Sequence, residues 1–243
     1  MRQLRFRDPT GRTRTGEYDD GTVTAGNRSY NVDDVDVLPP CEPTKIVCQA
    51  GGYQDHRDET DRELPDRPDF FLKGPNTVAA HGDAIELPPG KEEIDFEAEF
   101  GVVIDRQCRE VDASEAMSYV RGFTCVNDIS NRDDQREEQN WVRGKAFDGS
   151  LPMGPVLATP DEIPDDARLD LRVNGETKQE ATREMLIFTV GELIEEITKL
   201  ITLEPGDVIA TGTPYGPGPL AEGDVVEVEF EGVGILKNHV TTR

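Results

Sequence analysis

Glu97 and Glu99 stand two residues apart in IDFEAEFGVVIDR, residues 94–106. In a β-strand such a pair projects to one side, while Ile94, Phe96, Ala98 and Phe100 line the other. After Gly101 the alternation gives way to Val102, Val103 and Ile104, the pattern of a strand buried on both faces. Two carboxylates then sit at the mouth of a core, where they repel unless a positive charge lies between them. A hard divalent cation with oxygen ligands meets that need. The same spacing recurs at Glu227 and Glu229 in VEVEF, where nothing chemical is nearby and a solvated sheet face is the natural reading. The first pair has different company. Asp128 follows the apolar run 123–126, Lys145 lies in RGKAFDG, Arg132 and Gln135 lie in NRDDQ, and a glycine-rich loop follows Thr211.

The elements that must position these residues are mostly strands. KIVCQA (45–50) reads as a first core strand, FFLKG (70–74) as a return to the sheet, and 83–88 as a further short strand. Asp112 to Glu115 has the form of a capping box opening a helix that Gly122 ends, so a strand over 123–126 delivers Asn127 and Asp128. Ser130 is placed to cap a charged helix running towards Gln139. Leu169 to Val173 followed by Asn174-Gly175 signals a hairpin. Thr189 and Glu192 form a second capping box, with Val190, Leu193, Ile194, Ile197, Leu200 and Ile201 at helical spacing. Strands at 207–210, 224–230 and 234–240 close the chain, and Pro205-Gly206 fits a type II turn. Strands and helices do not alternate regularly, so a β-rich α+β fold is expected rather than a doubly wound one.

Composition narrows the partners. The 243 residues carry 50 acidic and 26 basic side chains, a net charge of −24, and 19 of the basic residues are Arg. Such a charge opposes binding to nucleic acid or anionic membrane, and with the scarcity of Lys it reads as adaptation to a salty cytoplasm. Cys41, Cys48, Cys108 and Cys125 form no Cys-x-x-Cys pair, so zinc is not expected, and Cys48, Cys108 and Cys125 read as reduced core residues of a cytoplasmic protein. The N-terminus is polar, and no apolar run approaches a membrane span. The loop 211–218 lacks the Gly-Lys-Ser/Thr ending of a phosphate loop.

EAEFGVVIDR, NDISNRDDQ, RGKAFDGSLPMGP, RVNGE, LEPGDVIATGTPYG and EGDVVEVEFEGVGILKN occur in that order. Over residues 43–243 the chain resembles the fumarylacetoacetate hydrolase family, and residues 1–42 are similar to a small N-terminal β appendage that many members carry. The resemblance implies a mixed β-sandwich roll, a homodimer, and Mg²⁺ or Mn²⁺ held by Glu97, Glu99 and Asp128. It implies that Lys145 lies beside the metal, that Tyr53, Arg132 and Gln135 hold the substrate, and that Thr213 meets a substrate carboxylate. It also matches His56 and Glu59 in GGYQDHRDE to a pair that activates water. This chain departs from the family at Gly52, where Asn is usual. The implied activity is hydrolysis of a carbon–carbon bond in an acylpyruvate-type 2-oxo acid through an enolate. Decarboxylation, isomerisation, or dehydration of 2-keto-3-deoxy sugar acids would use the same site. A non-enzymatic, metal-stabilised binding module would need the three carboxylates but neither His56 nor Lys145.

Overall fold

The computed structural model describes residues 1–55 and 65–242. Among them a 12-stranded sheet runs in spatial order from Arg28–Asn31 through Thr22–Ala25, Thr13–Asp19, Arg2–Arg7, Leu151–Ala158, Val120–Asn127, Ala98–Ile104, Val208–Ala210 and Ile46–Ala50 to Asp69–Lys73. Two short strands pair off this path. Neighbours are antiparallel except Val208–Ala210 with Ile46–Ala50, so the sheet is mixed. A five-stranded sheet, Glu176–Thr182, Arg168–Val173, Val225–Phe230, Gly234–Thr242 and Ala84–Leu87, packs against one face of it. Phe230 of the smaller sheet meets Phe100 and Phe123 of the larger edge-on, at centroid distances of 4.6 and 6.2 Å. Fold class therefore follows the α+β, β-rich sandwich expected.

Strand alternation divides the large sheet between two cores. Phe100, Val102 and Ile104 face the main core, with Phe230 and the helix Val190–Thr198. Val103, Val126, Ile46, Cys48, Val208 and Ala210 face a smaller apolar cluster on the other side. Glu99 is in phase with Val103, so its carboxylate rises on this second face. The N-terminal segment is continuous with the large sheet, since Arg2 pairs with Ala158 and Leu4, Phe6 and Val23 are buried in the main core.

Local signals held where the chemistry was complete within a few residues. Thr189 and Glu192 form the reciprocal capping box, and Asn174-Gly175 joins its hairpin with both residues at positive φ, 52° and 81°. Three boundaries differ from expectation. Asp112 caps Ala113–Ala116 without a side-chain hydrogen bond, and the chain passes through a 3₁₀ turn, Met117–Tyr119. The following strand starts at Val120, because pairing with Ala98–Ile104 outweighs the glycine at 122. The next helix is Arg132–Glu137, capped by Asn131 rather than Ser130; the Asn131 side chain accepts from Asp134 N.

Candidate metal centre and substrate cavity

Glu97 falls at a break between strands Ile94–Phe96 and Ala98–Ile104. Across the break, Asn127 Oδ1 accepts from Glu97 N at 2.9 Å and Gln179 Oε1 accepts from Ala98 N at 3.0 Å. Side chains thus replace the missing ladder bonds and close both faces of the strand. Glu97 and Glu99 are consequently buried, at 5% and 1% exposure, not at the mouth of a half-buried strand as the alternation implied. Asp128, 1% exposed, follows the partner strand and its N–H donates to Glu97 O at 2.8 Å. One carboxylate oxygen from each of Glu97, Glu99 and Asp128 lies within 4.8 Å of the others. Three buried, hard oxygen donors converging in this way fit Mg²⁺ or Mn²⁺, which accept carboxylates and leave positions for substrate oxygens.

Counter-charges surround the triad. Lys145 Nζ donates to Glu97 Oε2 and Asp128 Oδ2, both at 2.7 Å. Burial pulls the Lys145 pKa down, but Asp128 and Glu97 outweigh it and the net shift is upward, so the ammonium stays charged. Arg132 donates Nε to Asp95 Oδ2 at 2.7 Å, Nη1 to Gln135 Oε1 at 2.8 Å, and Nη2 to Glu97 Oε1. Glu99 forms no ion pair among the described residues. Its Oε2 accepts from Gly212 N at 2.7 Å, and burial, then Asp128 and Glu97, push its pKa well above the usual carboxylate range.

Three glycines allow the close approaches around the triad. A Cβ on Gly144 would come within 2.9 Å of Gln135 Cα, so the turn Val142–Lys145 lies directly on the helix Arg132–Glu137. A Cβ on Gly52 would come within 2.0 Å of Thr211 O, and one on Gly212 within 2.6 Å of Gly52 N. Backbone therefore packs on backbone there, and Gly212 N–H is brought to Glu99.

A cavity of about 440 Å³ reaches the triad at Glu97 and is lined also by Arg132, Gln135, Lys145 and Thr213 among the residues singled out from sequence. Thr213 is buried and its Oγ1 accepts from Gln179 Nε2 at 2.8 Å. Tyr53 is not among the described lining residues; it packs in the main core, and its hydroxyl is buried with no hydrogen-bond partner among the described residues. His56 and Glu59 lie outside the described residues.

A family model for the fumarylacetoacetate hydrolase C-terminal domain matches residues 45–241. The chain belongs to the fumarylacetoacetate hydrolase family. It is 43% identical over 204 residues to an uncharacterized protein of Archaeoglobus fulgidus, covering 84% of this chain and 81% of that one. Against the mitochondrial oxaloacetate tautomerase Fahd2a of Rattus norvegicus it is 37% identical over 214 residues, 84% of this chain and 68% of the relative. The fold superposes with a TM-score of 0.91 on a 5-carboxymethyl-2-hydroxymuconate delta-isomerase from Mycobacterium smegmatis, at 34% identity over the whole of both chains.

The space a side chain at Gly52 would need is filled by Thr211 O. Sequence reasoning missed Lys73, which is fully buried and donates to Asp128 Oδ1 at 2.5 Å and to Ser150 O at 2.8 Å. It also missed Asp95, Asn127 and Gln179, which hold Arg132, Glu97 and Thr213. Lys73 pairs in register with Ile46 at the edge of the large sheet, which puts it on the Glu99 face. No local pattern in FFLKG announces that. No described helix is long and apolar enough to cross a membrane.

Proposed function

We propose that this protein holds Mg²⁺ or Mn²⁺ through Glu97, Glu99 and Asp128 and cleaves a carbon–carbon bond in an acylpyruvate-type 2-oxo acid. The observation that carries this reading is the convergence of three buried carboxylates, one of which, Glu97, lines a cavity together with Lys145. A bound cation supplies Lewis-acid polarisation of the 2-oxo group. The chain's own part is electrostatic and positional. Lys145 pairs with Glu97 and Asp128, so its ammonium is placed to stabilise negative charge developing on the enolate oxygen. Arg132, fixed by Asp95 and Gln135, holds Glu97 in place and presents its remaining N–H groups towards the substrate carboxylate. Thr213, oriented by Gln179, offers a hydroxyl to the same group. His56 with Glu59 activates the water that attacks the distal carbonyl.

Isomerisation or tautomerisation of a 2-oxo acid is the second reading, favoured by the names of the rat relative and the mycobacterial structure. Both readings share enolate stabilisation and differ in the need for activated water. General-base activation is worth about 10²–10⁴ in rate. His56→Ala should therefore cut acetylpyruvate cleavage by that order while leaving ketonisation of enol-oxaloacetate within a few-fold. Lys145→Met should impair both. Acetylpyruvate cleavage that survives His56→Ala would reject the hydrolase reading in favour of the tautomerase.

A further inference from the structure

The described cavity wall beyond Lys145 is aromatic. Phe71 pairs with Cys48, which faces the Glu99 side of the sheet, and the Lys145 ammonium lies 5.2 Å from the centre of its ring. Trp141 continues the wall outward, edge-on to Phe71 at 5.4 Å and 74°. Both rings line the cavity.

Trp141 has φ 55° and ψ 21°, a left-handed conformation that bulky residues rarely adopt and that glycine or asparagine takes readily. Its carbonyl accepts from Lys145 N at 2.8 Å, so the turn that carries Lys145 begins at this residue. The turn by itself would be better served by a smaller residue. What Trp141 adds is its ring, set against the outer half of the cavity.

The charges on the described lining argue in the same direction. Its bases are Arg132, Arg136 and Lys145, and its acids are Glu93, Asp95 and Glu97. Each base is already committed: Arg132 to Asp95 and Glu97, Lys145 to Glu97 and Asp128, and Arg136 to Glu93 at 2.6 Å. A second substrate carboxylate would have to share Arg136 with Glu93 and lie beside that acid. A flat apolar group meets no such cost on the Phe71–Trp141 face.

We propose that the substrate's chain beyond its 2-oxo acid is flat and apolar, an aryl or conjugated group, and that Phe71 and Trp141 select it. This rests on the 2-oxo acid reading above. The test measures binding to the Mg²⁺-loaded protein by calorimetry, with oxalate as a probe of the metal end alone, and phenylpyruvate, pyruvate and oxaloacetate as probes of the tail. Phenylpyruvate should bind about tenfold or more tighter than pyruvate or oxaloacetate, the scale of one apolar group placed in a fitted pocket. Trp141→Asn keeps a residue at ease in the left-handed turn while removing the ring. It should abolish that preference with oxalate affinity unchanged, and Trp141→Phe should restore part of it. As the chain's only tryptophan, Trp141 should also change its fluorescence when phenylpyruvate binds. Oxalate binding with no preference for phenylpyruvate, or with tighter oxaloacetate, overturns the aromatic selection alone. Absence of Mg²⁺-dependent oxalate binding overturns the 2-oxo acid reading and this inference together.

Discussion

Replacing Glu99 by Gln should stabilise the metal-free protein and abolish its response to Mg²⁺. Glu99 is buried, has no ion-pair partner among the described residues, and lies with Glu97 and Asp128 so that ligand oxygens are within 4.8 Å. At an effective dielectric constant of about 20, two unit charges at that separation repel by roughly 3.5 kcal/mol. Lys145 offsets part of this, and uptake of a proton by Glu99 caps the rest. We therefore expect metal-free Glu99→Gln to be more stable than wild type by about 1–3 kcal/mol at pH 8, well below the full Coulomb figure. In wild type, Mg²⁺ at about 100 times its dissociation constant should add about 2.7 kcal/mol. For a chain of this length that raises the melting temperature by roughly 5–11 °C, at about 2–4 °C per kcal/mol.

Thermal unfolding at constant ionic strength, with chelator or with MgCl₂, measures both effects. Glu227→Gln is the control, since its carboxylate is ion-paired at the surface and should stay within about 1 kcal/mol of wild type in both conditions. The pH dependence supplies an independent sign. Because Glu99 has a raised pKa in the folded state, its contribution is intact below the ordinary value of 4.5 and is lost as pH rises through the folded value. The advantage of metal-free Glu99→Gln should thus widen as pH increases. An Mg²⁺ response that survives Glu99→Gln, or a metal-free variant that melts below wild type, would refute the reasoning.

Three other perturbations test separate links. With a net charge of −24, the melting temperature should climb as KCl rises from roughly 0.1 to 3 M, where the Debye length falls from about 10 Å to below 3 Å; a flat profile argues against salt adaptation. Asp207, fully buried, receives hydrogen bonds from Thr44, Lys45 and Glu204 that outweigh burial and lower its pKa. Asp207→Asn should cost about 2–4 kcal/mol at neutral pH. That deficit should shrink as pH falls from 3.8 through the folded value; chemical denaturation at several pH values shows whether it does. Gly52→Asn, the residue usual in the family, should collide with Thr211 O, displace Gly212 from Glu99, and weaken Mg²⁺ binding in calorimetry; unchanged affinity would separate this contact from the metal centre.

What the sequence made legible was whatever is encoded within a few residues or by strand period. Glu97 and Glu99 at alternate positions, the Thr189 capping box and the Asn174-Gly175 hairpin all belong there. Residues whose role depends on non-local pairing were not legible. Lys73 becomes a buried partner of Asp128 only because Asp69–Lys73, three strands from Ala98–Ile104, lies antiparallel to Ile46–Ala50 in one particular register. A one-residue slip would turn it to the other face. Gln179 reaches Ala98 N from the second sheet, across 81 positions. Asn131 displaced Ser130 as the cap because the side chain able to reach Asp134 N depends on where the preceding strand ends.

The two Glu-x-Glu segments show why a pattern becomes a site only through what surrounds it. Glu227 and Glu229 lie on the edge-ward face of the five-stranded sheet, half-buried, opposite Arg172 and, for Glu227, Lys237. Those cations, Lys237 first, lower the pKa of Glu227, so its charge is favourable where it is. Glu99 has the same spacing but too little of that relief: burial, then Asp128 and Glu97, outweigh Lys145 and the Gly212 N–H, and its pKa moves up. Lys145 bridges Glu97 and Asp128, Lys73 and Arg132 hold their other oxygens, and Glu99 is the member of the triad with no ion pair among the described residues. In the outer sheet the fold neutralises its acids with side chains, whereas at Glu99 burial disfavours a charge that a bound cation would favour.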